Sequence, residues 1–325
     1  MTVNEICEYL SQENGYILTS HEAPDGDAIG SEIVLYSILN YLKKDVVILN
    51  SDITEHKYRY MDQNDVIHCI APGDEMTQDL SQKILIVVDT EPDNIGHLSA
   101  LMNKETVRDI LVIDHHDYKD KIPFKGLYDP NASSTCEILY EIQQHLKVPY
   151  FDPLTEAMFT GIVYDTGSFI YPKTTAKTFS IAYNLVSNGA RPNFVYSNLY
   201  ESKSTESLKL RTMVGSSLTL YFNNHVAYQY MDMETLIKSG AKYEESQEIV
   251  NIPLQCNDVR VSIFIKENSD GKARCSIRTK NEIDCLPIVS RFHGGGHPTA
   301  AGFKLNKPVE EVRHEVLEFF APFFT

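Results

Sequence analysis

The chain has 325 residues, 42% hydrophobic and 23% charged, with a formal charge of −16. Its length suits two domains, and the net charge argues against a general duplex-DNA binder, which needs a basic face. No run approaches the ~18 uninterrupted apolar residues of a membrane span. The start, Met1-Thr2-Val3-Asn4-Glu5, lacks the basic and apolar regions of a signal peptide. Six scattered cysteines without a C-x-x-C suit reduced thiols in the cytoplasm.

In chain order, a strand over 16–20 leads into a loop and a helix near 29–43, and Val46-Val47-Ile48-Leu49 reads as the next strand. Further strands are expected at 84–88 and 110–113, and helices at 134–146, 154–164 and 175–188. Ser133 or Ser134 ahead of Glu137 has the character of a capping box, and Asp152-Pro153 opens the following helix. Strands alternating with helices indicate βαβ units and a mostly parallel sheet. The stretch 191–215, with its polar run Glu201-Ser202-Lys203-Ser204-Thr205-Glu206-Ser207, reads as a linker. Beyond it, strand-like runs at 226–230, 259–265 and 273–278 dominate, with Asn268-Ser269-Asp270-Gly271 as a hairpin turn and a final helix near 308–320. The fold class is therefore α/β over 1–190, with a smaller α+β domain over 216–325.

Four apolar runs end in acids or acid–histidine clusters. The run 16–20 meets His21-x3-Asp25-x-Asp27, 84–88 meets Asp89, 110–113 meets Asp114-His115-His116, and 161–164 meets Asp165. The carboxyl edge of an open α/β sheet is where such folds build their sites. Gly26 and Pro24 shape a loop that can point His21, Asp25 and Asp27 at one place, and the two aspartates can each reach a different ion. Carboxylate and imidazole donors without thiolate favour Mn²⁺, Mg²⁺ or Co²⁺ over structural zinc. Two such ions clamp a phosphoryl group and generate hydroxide near neutral pH. Taken singly, Asp89 or Asp165 equally suits a helix N-cap.

Near the end, Gly294-Gly295-Gly296-His297 exposes backbone N–H groups to an anion, and the small residues after it suit a helix start whose positive end favours phosphate. Ser276, Arg278 and Lys280 alternate along one strand face, where a guanidinium suits phosphate. A flexible loop and an ordinary exposed strand face are the alternatives at these two places.

The order of His21-x3-Asp25-x-Asp27, Asp89, Asp114-His115-His116 and Asp165 resembles the DHH phosphoesterase superfamily with its DHH-associated C-terminal domain. Gly161-Ile162-Val163-Tyr164-Asp165-Thr166-Gly167-Ser168-Phe169, Ser276-Ile277-Arg278-Thr279-Lys280, and the glycine loop with Ala300-Ala301-Gly302-Phe303 resemble its nano-RNase/pAp phosphatase branch. His293 departs from that pattern, standing where many relatives carry glycine.

The resemblance implies two divalent metal ions, chiefly Mn²⁺. His21 and Asp25 would hold one ion, Asp27 the other, with Asp89 bridging and His115 and Asp165 completing the second site. Asp114 would orient a neighbouring imidazole, and His116 would face the scissile phosphate as donor or general acid. Arg278, with Ser276 and Lys280 beside it, would hold the substrate's terminal phosphate or backbone together with Gly294, Gly295, Gly296 and His297. The site would lie in the cleft between the domains. The implied activity is hydrolysis of dinucleotides and other short single-stranded RNA to mononucleotides, and of 3′-phosphoadenosine 5′-phosphate to AMP, by a cytoplasmic protein. A homodimer is left open. A cyclic-dinucleotide phosphodiesterase and a manganese-dependent inorganic pyrophosphatase share the N-terminal motifs and are the rival enzymes; a non-catalytic nucleotide-binding module is the remaining rival.

Overall fold

A computed structural model describes the chain except residues 75–78, 119–123, 268–271, 281–282, 306 and 325. The expected turn Asn268-Ser269-Asp270-Gly271 lies outside the described residues. The chain divides into two units, Met1–Ser202 and Lys203–Thr325.

The first unit runs α1 (Val3–Gln12), β1 (Gly15–Thr19), α2 (Gly26–Tyr41), β2 (Asp45–Asn50), β3 (Ile67–Cys69), β4 (Ile84–Val88), α3 (Leu98–Leu101), β5 (Asp109–Asp114), β6 (Gly126–Tyr128), α4 (Thr135–His145), α5 (Leu154–Asp165), α6 (Ala176–Ser187) and α7 (Pro192–Tyr200). Its six strands pair in the order β3-β2-β1-β4-β5-β6, all parallel. The period-two alternation of a strand sorts each run into two cores. Ile84, Ile86 and Val88 enter one hydrophobic cluster, while Leu85 and Val87 enter the other. Leu111 and Ile113 against Ile110 and Val112 repeat that division on β5. A sheet covered on both faces explains why the central strands are apolar throughout.

Strand order reverses beside β1, which lies between β2 and β4. The crevice beyond the carboxyl ends at such a switch point is open to side chains from the adjoining loops. The segments after β1, β4 and β5 therefore start side by side. The short strands β3 and β6 have no apolar run long enough to announce them, and each lies at an edge of the sheet.

The second unit runs α8 (Thr205–Gly215), β7 (Thr219–Tyr221), β8 (Val226–Met231), α9 (Met233–Ser239), β9 (Val261–Glu267), β10 (Ala273–Thr279), α10 (Leu286–Arg291), β11 (Gly295–His297), β12 (Ala300–Lys304) and α11 (Val309–Phe320). Its sheet has the order β11-β12-β10-β9-β8-β7 and is mixed, since only the β8–β9 pair is parallel. Val261, Ile263 and Ile265 of β9 join Val312, Val316 and Phe320 of α11 in one core, and Phe264 joins Leu210 and Val214 of α8 in another.

The expected linker over 191–215 is instead two helices, with the division between the units falling between them at Ser202 and Lys203. Pro192 stands in the first turn of α7, and Ser204 caps α8 by accepting from the Ser207 N–H at 2.9 Å. Most of the polar run faces solvent, Ser207 excepted, while Val195 and Leu199, then Leu210 and Val214, are buried.

Candidate metal centre

Asp25 is the N-cap of α2: its Oδ1 accepts from the backbone N–H groups of Asp27 and Ala28 at 2.9 and 3.1 Å. The helix thus begins at Gly26, three residues earlier than the apolar pattern announces, and Asp27 lies in its first turn rather than in a loop. Glycine is required at 26, because a Cβ there would meet the Tyr164 ring at 2.7 Å. Asp27 is fully buried, and its Oδ2 and Oδ1 accept from the N–H groups of Thr135 and Cys136 at 2.7 and 3.1 Å. Those amides open α4, so the positive end of that helix faces the carboxylate.

Asp89 follows β4 with φ of 62° and is buried, its Oδ1 accepting from Thr135 Oγ1 at 2.9 Å. His115 follows β5, with Nε2 2.9 Å from Asp165 Oδ2 and 3.5 Å from Asp89 Oδ1. Its Nδ1 lies 3.4 Å from the Ala132 carbonyl. With an ion on Nε2, the ring proton would sit on Nδ1 and donate there. Asp165 reaches the site from the last residue of α5, not from a strand, so the apolar run before it is a buried helix. His21 Nε2 lies 4.0 Å from Asp25 Oδ1 and 3.9 Å from Asp89 Oδ2.

Two triads follow: His21, Asp25 and Asp89; and Asp27, His115 and Asp165, each with ligand atoms within 4.8 Å of one another. Burial, then the charge of neighbouring aspartates, pushes the Asp27 carboxyl up to about 7 and lifts Asp89 well above the usual carboxylate range. Burial also raises Asp25. Burial opposes charge on His115, but the Asp165 hydrogen bond and the surrounding negative field raise it. Buried like charges of this kind call for a cation. The all-oxygen-and-imidazole donor set fits a hard or borderline divalent metal.

Asp114 does not offer a free carboxylate to these triads. Its Oδ1 accepts from the His116 backbone N–H at 3.1 Å and from His116 Nδ1 at 2.8 Å, while its Oδ2 accepts from the Tyr118 hydroxyl. Burial raises the Asp114 carboxyl, yet its partners His116 and Tyr118 outweigh that and hold it below the ordinary range. His116 is exposed and turns Nε2 away from that hydrogen bond.

In the second unit, Arg278 pairs with Ala300, and His297 pairs with the same residue from the other side. Ser276, Gly302 and Gly295 form the next row. Directly paired residues share a face, so Arg278, His297, Ser276 and Gly295 lie together. The glycine loop therefore enters strand β11, and Ala300–Lys304 is a strand rather than the expected helix start. The small residues serve close strand approach: a Cβ at Gly296 would meet the Ala300 carbonyl oxygen at 2.5 Å. Gly294 precedes the strand, packed against Gly302 and Phe303. Lys280 lies beyond β10, its Nζ donating to the Cys256 carbonyl at 2.7 Å.

Comparison with known proteins decides the family. Residues 16–162 match the DHH family N-terminal domain and residues 223–324 match the DHHA1 domain. This chain belongs to the DHH family. It is 29% identical over 297 residues to the Streptococcus mutans protein named "Probable bifunctional oligoribonuclease and PAP phosphatase NrnA", covering 88% of each chain. It is 27% identical to the Bacillus subtilis "Bifunctional oligoribonuclease and PAP phosphatase NrnA", covering 92% of this chain and 91% of that one. The crystal structure of an exopolyphosphatase-related protein from Bacteroides fragilis shares the fold, with a TM-score of 0.85, 24% identity, and coverage of 99% of this chain and 97% of that one.

Within the first unit, three contributors carry no signal in the motifs: the Thr135 and Cys136 amides, Tyr118, and Lys173, whose Nζ donates to the His115 carbonyl at 3.2 Å. Only the amides were accessible in principle, because Ser134 marks the start of α4 and hence its positive end. Among the described residues, no helix is long and apolar enough to cross a membrane.

Proposed function

We propose that this DHH-family protein is a metal-dependent phosphoesterase that hydrolyses dinucleotides and other short RNA to mononucleotides, and 3′-phosphoadenosine 5′-phosphate to AMP. The observation that carries the reading is the pair of triads joined at Asp89, which lies within 3.9 Å of His21 on one side and 3.5 Å of His115 on the other. The names of the Streptococcus mutans and Bacillus subtilis relatives supply the substrate class.

His21, Asp25 and Asp89 would hold one ion, and Asp27, His115, Asp165 and Asp89 the other. Bound divalent ions supply a hydroxide nucleophile and neutralise charge on the phosphoryl oxygens. The α4 amides hold Asp27 still. Asp114 would hold the His116 Nδ1 proton, so that a second proton, carried on Nε2 of the doubly protonated ring, is the one given to the departing oxygen, leaving a neutral imidazole. Arg278, with the Ser276, Gly295 and His297 positions around it, binds a non-reacting phosphate. Mn²⁺ is the ion we assign, in a cytoplasmic protein.

The test is a chelator-stripped preparation assayed with Mn²⁺, Mg²⁺ or Co²⁺ on labelled diadenylate, 3′-phosphoadenosine 5′-phosphate, a cyclic dinucleotide and pyrophosphate. Activity should be absent after stripping, return with Mn²⁺, and favour the first two substrates. Intact diadenylate under saturating Mn²⁺ would refute the substrate class, and faster turnover of the cyclic dinucleotide or pyrophosphate would replace it with the rival.

A further inference from the structure

Beyond Asp165 the backbone does something that phosphate chemistry alone does not require. Gly167, Ser168 and Phe169 are consecutive residues with φ of 55°, 61° and 68°. Glycine takes that conformation freely, but serine and above all a bulky phenylalanine do so only when their surroundings impose it. The surroundings here are specific. The Ser168 N–H donates to the Val163 carbonyl at 2.8 Å, and the Phe169 N–H donates to Thr166 Oγ1 at 3.0 Å. The Phe169 ring stacks on Phe179 with centroids 5.3 Å apart and has Phe159 at 6.3 Å.

This left-handed turn folds the chain back on itself. The N–H groups of Ile170 and Tyr171 both donate to the Thr166 carbonyl, at 2.8 and 2.9 Å. The Tyr171 ring then lies over Gly167, where a Cβ would fall 2.5, 2.6 and 2.8 Å from Cζ, Cε1 and Cε2. Despite that anchorage Tyr171 is 57% exposed, and Ile170 is 81% exposed. Two residues on, Lys173 Nζ donates to the His115 carbonyl at 3.2 Å, and two residues of chain span at most about 7 Å, so Tyr171 belongs to the segment tethered to the Asp165–His115 pair.

An aromatic plate with one side packed on backbone, the rest open to water and its main chain fixed is organised for a flat apolar partner. We propose that Tyr171 is the platform on which the base of the nucleotide undergoing cleavage stacks. The inference rests on the phosphoesterase reading and deepens it. Because every base has a π-face, stacking there is tolerant of sequence, and Tyr171 contributes binding for nucleotides over simple phosphate esters without selecting among bases.

The experiment compares wild type with Tyr171→Phe, Tyr171→Trp and Tyr171→Ala on diadenylate, diuridylate and an analogue of the same backbone lacking both bases. With wild type active, Tyr171→Ala should raise KM for both base-bearing substrates roughly tenfold or more while kcat moves little, and the aromatic variants should restore it. On the abasic analogue all four proteins should behave alike. An unchanged KM in Tyr171→Ala, an equal loss on the abasic analogue, or a change only in oligomeric state by sedimentation would overturn the platform. Failure of wild type itself to cleave diadenylate would count against the phosphoesterase reading instead. Melting temperatures equal to wild type exclude misfolding as the source of a loss.

Discussion

The backbone N–H of Thr135 donates to Asp27 Oδ2 at 2.7 Å, joining the first turn of α4 to the first turn of α2. Two helices remote in the sequence thus meet at one carboxylate. The hydrogen bonds from Thr135 and Cys136 orient Asp27 but do not cancel its burial and the repulsion from its neighbours, and its carboxyl remains raised. A divalent cation held by these ligands would offset the like charge gathered there.

Gly161 is the tightest place in that arrangement. An Ala in the middle of a helix ordinarily gains about 1 kcal/mol over Gly. Here a Cβ would stand 2.4 Å from Cys136 Sγ and 2.5 Å from Asp27 Oδ1. Overpacking costs about 1–3 kcal/mol, and it acts on a fixed carboxylate. Gly161→Ala is therefore expected to lower the melting temperature and weaken Mn²⁺ binding. An unchanged or raised melting temperature by calorimetry would contradict this packing argument.

On the proposed reading Asp114 would act through His116. Its two oxygens accept hydrogen bonds from His116 and Tyr118, which favours orientation over ligation even though it lies with Asp89, His115 and His116 in one group of possible ligands. Asp114→Asn should lower kcat about ten- to a hundredfold, with little change in metal affinity. The same substitution in a His116→Ala background should add little. A full further loss in that background, or a parallel fall in Mn²⁺ affinity by titration calorimetry, would show that Asp114 works otherwise.

Glu32 gives a pH-dependent stability outside the two triads. It is fully buried on α2, and its Oε2 accepts from Asn50 Nδ2 at 2.9 Å. Burial lifts its carboxyl from an ordinary 4.5 to about 7. Because the folded value is the higher one, the native state holds the proton more tightly, and stability is lost as pH rises from about 4.5 to about 7. Glu32→Gln removes that loss. Relative to wild type it should gain up to ~3 kcal/mol at pH 8 and close to nothing at pH 4. Denaturant unfolding at both values checks this, and an equal gain at each would reject the titration as the cause.

The strand and helix alternation is legible where an apolar run is long enough and bounded by polar residues, and β4 and β5 lie within a residue of the bounds such runs give. The helix expected over 154–164 is α5, which runs one residue further, so that Asp165 stands on a helix end beside the strand-borne ligands. The glycine loop is less legible. Small residues suit a helix start and a close pair of strands equally well, and the pairing that selects the strand, Ala301 against Ile277 of β10, joins residues far apart in the chain.

By itself the sequence determined which side chains have metal-binding chemistry, because carboxylate and imidazole are properties of single residues, and which segments alternate between sheet and helix, because periodicity is local. Tertiary structure alone decided that His21 and Asp89 face each other, that Asp27 takes the positive end of α4, that Asp114 turns to His116 and Tyr118, and that a left-handed turn lifts Tyr171 into solvent. Those are matters of direction, set by strand order and close packing between segments that no local pattern connects.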